Sequence, residues 1–327
     1  MRTMLFPISI LDLAFIGEGH TAKDALNDCV ALAQQAERFA YARIWYAEHH
    51  NFSSIASSAT SVVIAHVAAH TKTIRLGAGG IMLPNHSPLV IAEQFGTLES
   101  LHPGRIDLGL GRAPGTDPAT SRALRTEAAV DSFPEDVREL QGFLGSESLI
   151  AGVNAIPGKG THVPIYMLGS SLFGASLAAA YGLPFAFASH FAPSALKEAV
   201  ATYRRTFKPS AQLKAPYVIA GVNVIAADSE KDAQHHFHLT KRMRIKALLG
   251  RGRGWTDEQA DEVLASPAGQ MIEDMCTYSA VGTAGAVRLY LERFRALADA
   301  DELITVHSTA TADARLRSVE LLAECMA

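Results

Sequence analysis

Short apolar segments alternate with segments of helical periodicity from one end of this 327-residue chain to the other. The predicted strands are residues 4–10, 43–46, 74–78, 106–110, 165–168, 185–188, 218–226 and 302–306. The predicted helices are residues 21–39, 57–70, 88–102, 172–181, 194–207, 281–297 and 312–326, with a long polar and helical stretch over 117–144. Short buried strands that alternate with helices favour a parallel α/β fold. Because there are eight strand–helix units, the pattern predicts a closed (β/α)8 TIM barrel rather than an open sheet.

The alternation is interrupted once, by a charged insertion at about residues 229–280. It lies before the last predicted strand and contains the sequence Arg251-Gly252-Arg253-Gly254, and we interpret it as a candidate lid. No linker is recognisable elsewhere. Length alone suggests about two domains, but α/β barrels of this size commonly form one unit. We therefore expect a single domain over residues 1–327.

Composition excludes several classes of partner and site. The net charge is −4 and no basic run occurs, so nucleic acid and anionic membranes are poor partners. No segment reaches the roughly 18 apolar residues of a membrane span, and no signal-peptide pattern opens the chain. Cys29, Cys276 and Cys325 are scattered without a CxxC pair, which favours free thiols over a disulfide framework or a zinc site. We expect a soluble, cytoplasmic protein without a metal.

Two features at predicted strand ends are suited to a phosphate. Gly169, Ser170 and Ser171 stand between a strand and a helix, where backbone N–H groups and the helix dipole favour an anion. Arg112 follows the fourth strand, and its guanidinium suits bidentate phosphate binding. Alone, the first is equally a capped helix start and the second a surface ion pair. In a barrel the functional groups gather past the C-terminal strand ends, so their combination favours a phosphate site.

Two further strand ends carry residues suited to a reaction. Glu48, His49 and His50 follow the second strand, and a histidine is the usual proton carrier near neutral pH. For either histidine a structural role is about as favourable as a catalytic one. Gly79 and Gly80 allow a close approach of the backbone to a flat ring, although a strand bulge is the alternative.

The segment from Gly109 to Gly115 superficially resembles a dinucleotide fingerprint. Pro114 replaces the expected third glycine, so the spacing fails, and the segment lies on the fourth strand. No acidic residue caps a second strand about 20 residues later. A Rossmann-type nicotinamide site is therefore not expected.

Taken together, these segments resemble the bacterial luciferase-like flavin monooxygenase family. The resemblance covers nearly the whole chain in order. It is carried by residues 45–50, 77–84 and 105–112, whereas residues 168–171 and 185–193 are similar to a subgroup of uncharacterised single-chain members.

The resemblance implies an FMN-dependent monooxygenase. Reduced FMN at the barrel mouth would react with O2 through a C4a-peroxyflavin and oxygenate a small organic substrate, which is oxidoreductase chemistry on paired donors. The FMN phosphate would be held by Arg112 and the backbone of Gly169, Ser170 and Ser171. Gly79 and Gly80 occupy the family's non-proline cis-peptide position beside the flavin ring, although the luciferases have an alanine pair there.

The resemblance also implies roles for the remaining strand-end residues. His49 matches the luciferase histidine proposed as a proton-transfer group. A flavin–oxygen intermediate needs a dry pocket, and we expect it to be lined by Phe6, Glu48, Met82, His190 and Phe191. Because no nicotinamide fingerprint is present, a separate flavin reductase is expected to supply reduced FMN. The family usually forms homodimers.

Two alternatives to the monooxygenase remain open. Relatives on the same barrel are dehydrogenases that use a deazaflavin, in which hydride transfer replaces oxygenation. A non-catalytic flavin-binding protein is less favoured, because such proteins tend to lose barrel segments, whereas this chain retains eight units and His49.

Overall fold

The computed structural model describes residues 4–17, 19–113, 116–124, 131–249 and 254–327. Its parallel strands are β1 (Ile8–Asp12), β2 (Arg43–Tyr46), β3 (Arg75–Met82), β4 (Ile106–Gly111), β5 (Ile165–Gly169), β6 (Phe185–Phe187), β7 (Val218–Ala226), β8 (Ser279–Gly282) and β9 (Glu302–Val306). Strands β1 to β7 pair in order, and β9 pairs with both β7 and β1. These eight strands close the ring, which confirms the predicted (β/α)8 barrel.

Strand β8 is the one described strand that the sequence pattern did not predict. Residues Ile219 to Asn223 of β7 pair with β9, whereas the outer part, Asn223 to Ala226, pairs with β8. The nine-residue β7 thus extends past the barrel, and β8 occupies its free edge. The prediction of helix from residue 281 was therefore wrong, because the helix begins at Ala284.

Helices cover the outside of the barrel and build the insertion. They are α1 (Ala22–Arg38), α2 (Thr60–Ala68), α3 (Pro88–Leu101), α4 (Pro118–Leu124), α5 (Phe133–Leu144), α6 (Leu172–Tyr181), α7 (Leu196–Thr206), α8 (Glu230–Leu249), α9 (Asp257–Leu264), α10 (Gln270–Met275), α11 (Ala284–Ala298) and α12 (Ala312–Met326). The stretch predicted over 117–144 thus contains two separate helices, α4 and α5. None of these described helices is long and apolar enough to cross a membrane.

A network of charged and polar side chains fills the N-terminal end of the barrel interior. The Arg43 guanidinium contacts Asp107 at 2.8 Å, Glu302 at 3.0 Å and the Tyr166 hydroxyl at 2.6 Å. Burial alone would lower the pKa of Arg43, but Glu302 and Asp107 outweigh it and raise the pKa. Further partners come from neighbouring strands: Ser9 and Tyr217 donate to Glu302, and Arg75 and Trp45 donate to Asp107. One ion network therefore joins six of the eight barrel strands and, through Tyr217, the residue that precedes β7.

Above this network, the barrel interior becomes apolar and then rich in glycine. The middle layer is a cluster of inward-facing side chains: Leu11, Trp45, Ala47, Tyr166, Ala186, Ile219, Ile304 and Val306. Toward the C-terminal end, the corresponding positions of β3, β4 and β7 are Gly79, Gly111 and Gly221. Alternate residues of a strand face the same side, so these glycines leave room at the mouth of the barrel, and the side chains of Leu11, Met82 and His190 take it.

The insertion forms a small subcore of its own beside the mouth. Ile245, Ala260, Ile272 and Cys276 pack together between α8, α9 and α10. Ion pairs brace its outer surface, including Arg242 with Asp257 and Asp261. The Arg251-to-Gly254 motif lies outside the described residues except for Gly254.

Removing the central cation of the ion network should destabilise the barrel. We expect Arg43→Met to lower the free energy of unfolding by about 3–5 kcal/mol, because two buried carboxylates lose their shared partner. Urea denaturation at neutral pH measures this difference.

Arg288→Met is the matched control, because Arg288 is half-exposed on α11, where it pairs with Glu292 and donates to the backbone carbonyl of Cys325. Its loss should stay below about 1 kcal/mol. Equal losses in the two variants would contradict the proposed importance of the buried network.

Candidate active site

Most of the sequence-predicted site residues lie at one end of the barrel. They follow or end five consecutive strands, β2 to β6, and parallel strands bring their C-terminal ends to the same face. Phe6 is the exception. It precedes Ile8, the first residue of β1, and with Leu5 and Arg295 it lines a cleft at the opposite end. The assignment of Phe6 to the substrate pocket was therefore wrong, since an apolar segment alone does not show where the strand begins.

The C-terminal half of β3 contains two adjacent glycines, Gly79 and Gly80, that are tightly packed against neighbouring residues. The Gly79–Gly80 peptide bond is cis. A Cβ on Gly79 would lie 2.7 Å from Leu11 Cδ1, and a Cβ on Gly80 would lie 2.7 Å from the carbonyl oxygen of Gly109. Any larger residue would have to displace its neighbours, so glycine at both positions is explained by packing.

Glu48 is the centre of a hydrogen-bond cluster that ties two loops together. Its Oε1 accepts from Nε2 of His50 and of His86, each at 2.8 Å, and its Oε2 accepts from the Met82 backbone N–H at 3.0 Å. Asn85 donates to the same carboxylate at 3.3 Å. Burial alone would raise the pKa of Glu48, but the hydrogen bonds from His50 and His86 outweigh it and lower the pKa to about 2.

This environment changes the role expected for Glu48. Its side chain is 1% exposed and faces protein donors, so it holds the loops after β2 and β3 rather than presenting a free carboxylate to a substrate. His86 and Asn85 were missed by sequence reasoning. The sequence contained a signal for them, because both residues follow β3, the strand that contains Gly79 and Gly80.

His49 presents an imidazole nitrogen that no described residue satisfies. Its backbone N–H donates to Ser57, and its ring stands edge-on to Phe52 at 5.7 Å between centroids. The Nδ1 atom is buried without a hydrogen-bond partner among the described residues. Burial lowers the pKa of His49, with Glu48 opposing the shift and His50 adding to it. The imidazole is therefore neutral near neutral pH and retains hydrogen-bonding capacity.

Arg112 and the start of α6 lie together, as the sequence analysis expected. The guanidinium carbon of Arg112 lies 4.0 Å from the ring centroid of Phe173, the second residue of α6. Ser171 is the N-cap residue, and its side chain makes no capping hydrogen bond. Arg112, Ser170 and Ser171 are all exposed. A cation and uncapped helix N–H groups thus share one accessible corner of the mouth.

His190 covers a neighbouring part of the mouth, in the loop after β6. Its imidazole occupies the space above Gly221, where a Cβ would lie 2.4 Å from Nδ1. That Nδ1 atom is also buried without a partner in the described part of the chain. Burial, followed by the positive charge of Arg244 and by His49, lowers the pKa of His190 to about 3. Phe191 packs edge-on against it and is 44% exposed.

Met82 lies between these groups, at the end of β3. Its sulfur is 2.9 Å from the position of a Cβ on Gly111, so the side chain fills the space that this glycine leaves. The mouth therefore combines exposed or half-buried apolar side chains, two neutral imidazoles and a cationic corner. Such a site can hold an anionic and planar ligand and handle protons beside it.

Comparison with known proteins identifies relatives along the whole chain. The luciferase-like monooxygenase family model matches residues 6–300. A luciferase-like monooxygenase of Escherichia coli K12 is 48% identical over 98% of this chain and 96% of its own length. An N-acetyl-S-alkylcysteine monooxygenase of Bacillus subtilis is 39% identical over 75% of each chain.

Solved structures show the same fold. The crystal structure of apo-MsnO8 has a TM-score of 0.86 with 31% identity and covers 98% of both chains. More distant neighbours share the fold but use different cofactors. An FMN complex of the oxygenating constituent of Pseudomonas putida 3,6-diketocamphane monooxygenase has a TM-score of 0.71, with 16% identity over 98% of both chains. A coenzyme F420-dependent reductase of Methanopyrus kandleri has a TM-score of 0.68, with 18% identity over 99% of this chain and 98% of its own.

Neutralising Glu48 should lower the stability of the fold, by an amount that depends on pH. We expect Glu48→Gln to lower the free energy of unfolding by about 2 kcal/mol at pH 7, because the imidazole donors lose a charged acceptor. The pKa is about 2 in the fold against an ordinary 4.5, so the stabilisation is complete above pH 4.5. It is lost as the pH falls toward 2.

The difference in the free energy of unfolding between wild type and Glu48→Gln should therefore decrease below pH 4.5, as measured by urea denaturation at a series of pH values. Glu292→Gln, which removes an exposed carboxylate, should show a small difference at each pH. If the difference for Glu48→Gln stays constant down to the lowest pH at which unfolding is reversible, Glu48 is not ionised in the fold.

Proposed function

This chain belongs to the luciferase-like monooxygenase family, and from that premise we propose that it is an FMN-dependent monooxygenase acting on a small organic substrate. The main support is the juxtaposition of Arg112 with the uncapped start of α6. This corner has the charge and the donors that the terminal phosphate of FMN requires. Membership of the family supports oxidoreductase chemistry at this end of the barrel.

The residues present fit a flavin along the rest of the mouth. Arg112 and the backbone of Gly169, Ser170 and Ser171 would hold the phosphate. Gly79 and Gly80 present backbone without side chains, which suits contact with a flat ring. Reduced FMN, when bound, supplies the electrons for O2 activation. We further propose that a separate flavin reductase delivers it.

Within this proposal, the protein's own side chains handle protons and exclude water. His49 is neutral, and its Nδ1 has no partner among the described residues, so the imidazole can accept a proton or donate one from the other tautomer. Met82 and Phe191 contribute apolar surface that restricts water. Glu48 positions the loops that carry His49 and Met82.

A deazaflavin-dependent dehydrogenase is the second candidate. It is favoured by the structural likeness to the F420-dependent reductase, which extends over nearly the whole chain. Because F420 also carries a phosphate and a tricyclic ring, the same corner would serve. Affinity for the two cofactors distinguishes the candidates: tight F420 binding with negligible FMN binding would reverse our proposal.

Removing the Arg112 cation should weaken the binding of FMN but not that of riboflavin. We expect Arg112→Met to bind FMN about 10-fold to 100-fold more weakly, the equivalent of one charge-assisted hydrogen bond. Riboflavin, which lacks the phosphate, should bind the variant and the wild type equally. Fluorescence titration measures both flavins.

Arg38→Met is the control. Arg38 likewise stacks on a phenylalanine, Phe39, but the pair lies at the C-terminal end of α1 and not among the strand-end residues of the mouth. This variant should bind FMN normally. A parallel loss of FMN and riboflavin affinity in Arg112→Met would indicate a general disturbance and count against the phosphate site.

Replacing His49 should slow oxygenation without weakening flavin binding. Wild type with reduced FMN and O2 is first screened against aldehydes, ketones, terpenoids and N-acetyl-S-alkylcysteines. For an accepted substrate, we expect His49→Ala to bind FMN normally but to form product about 100-fold more slowly, since a positioned proton carrier contributes about 10²–10⁴-fold. Hydrogen peroxide should accumulate instead.

His66→Ala, which changes an exposed histidine of α2, should leave product formation and peroxide release unchanged. If His49→Ala turns over like wild type, His49 has no part in the reaction.

A further inference from the structure

One arginine of the insertion differs from the other cations of its helix. On α8, Arg242 pairs with Asp257 and Asp261, and Lys241 pairs with Glu273. Arg244 is half-buried and contacts only neutral groups: NH2 donates to Asn223 Oδ1 at 2.6 Å, and NH1 donates to Cys276 Sγ at 3.2 Å. Within the ranges that the structure describes, no carboxylate forms an ion pair with it.

One acid of the insertion, Glu273, is already engaged by another cation of the same helix. Both carboxylate oxygens of Glu273 accept from Lys241 Nζ at 2.7 Å. Two of the five guanidinium N–H groups of Arg244 are used in the contacts with Asn223 and Cys276. A half-buried cation with neutral partners and spare donors is costly to desolvate, so an anion that reaches it would be bound favourably.

Asn223 connects this arginine to the mouth of the barrel. It lies on β7 in the same inward-facing series as Ile219 and Gly221. Its Nδ2 donates to the backbone carbonyl of His190 at 2.8 Å, while its Oδ1 accepts from Arg244. The side-chain amide is therefore fixed at both ends, and it holds Arg244 beside the loop that carries His190.

His190 supplies a second, independent indication of a ligand. The residue is 9% exposed, and its Nδ1 lies above Gly221 without a hydrogen-bond partner among the described residues. A buried polar atom in a native structure normally has a partner. Because Gly221 faces the barrel interior, the imidazole lies at the mouth, on the side where Asn223 holds Arg244.

We infer that Arg244 and His190 form the substrate end of the pocket and select an organic substrate that carries a carboxylate. The guanidinium binds the carboxylate, and His190, in its neutral form, hydrogen-bonds a polar group of the same molecule. The inference rests on the proposed function for the position of the reacting atoms, which would lie between this end and the flavin ring. It assigns Arg112 and Arg244 to different ligands.

The test compares ligands that differ only in charge. Calorimetric titration with 3-phenylpropanoate and 3-phenylpropanamide, and with heptanoate and heptanamide, is run on the flavin-free protein and again with saturating FMN. We expect wild type to bind each acid about 10-fold or more tightly than its amide. Arg244→Met should remove this preference, whereas Arg242→Met, two residues away on the same helix, should retain it.

His190→Phe keeps the ring but removes its nitrogens, and should weaken the acid and the amide to a similar degree. Arg244→Gln serves as a second variant, because its amide can still donate to Asn223 if the methionine disturbs packing. It too should lose the preference for the acid.

Three results would overturn the inference. One is equal binding of acid and amide by wild type, including no detectable binding of either at millimolar concentration. A second is a loss of preference in Arg242→Met as large as in Arg244→Met. The third is a loss of FMN affinity without loss of riboflavin affinity in Arg244→Met, which would make Arg244 the phosphate ligand. Failure of wild type to bind any flavin would refute the proposed function, yet the flavin-free titrations would still decide this inference.

Discussion

The arrangement of this barrel depends on Arg43 and the two buried carboxylates that it joins. Asp107 on β4 and Glu302 on β9 lie on different sides of the ring, and one guanidinium bridges them. Charged groups at such depth are tolerated only when each is paired and hydrogen-bonded, so the strands that supply them are held in one register. The network thereby fixes which residue of each strand faces inward.

The inward series carries this constraint from the closed end of the barrel to the open end. On β2 the series begins at Arg43 and continues through Trp45, because alternate residues share a face, and Ala47, just past the strand, joins the same cluster. The same rule on β7 leads from Ile219 to Gly221 and Asn223. The space above Gly221 is thus a consequence of a strand register set by charged residues at the other end of the barrel.

The sequence was sufficient to predict the eight barrel strands, their order and the corner formed by Arg112 and the start of α6, because these follow from local patterns and from parallel strand direction. It was insufficient for β8, which is only four residues long and exists because β7 extends past the barrel. Phe6 was misplaced because the first apolar segment begins before its strand. Arg244 was missed for a different reason: it lies inside a helix of the insertion, and only tertiary packing brings it to Asn223.

The difference in origin between Arg112 and Arg244 has a physical consequence for specificity. Arg112 follows a barrel strand, and its position is set by the same register that closes the ring. Arg244 is carried by an insertion with its own subcore, and it meets the barrel through its hydrogen bond to Asn223. Under the proposed function, the cofactor end is therefore tied to the stability of the fold, whereas the substrate end is tied to the packing of α8 against β7 and β8. A change of substrate class in such a barrel would require new contacts in the insertion and would leave the Arg43 network intact.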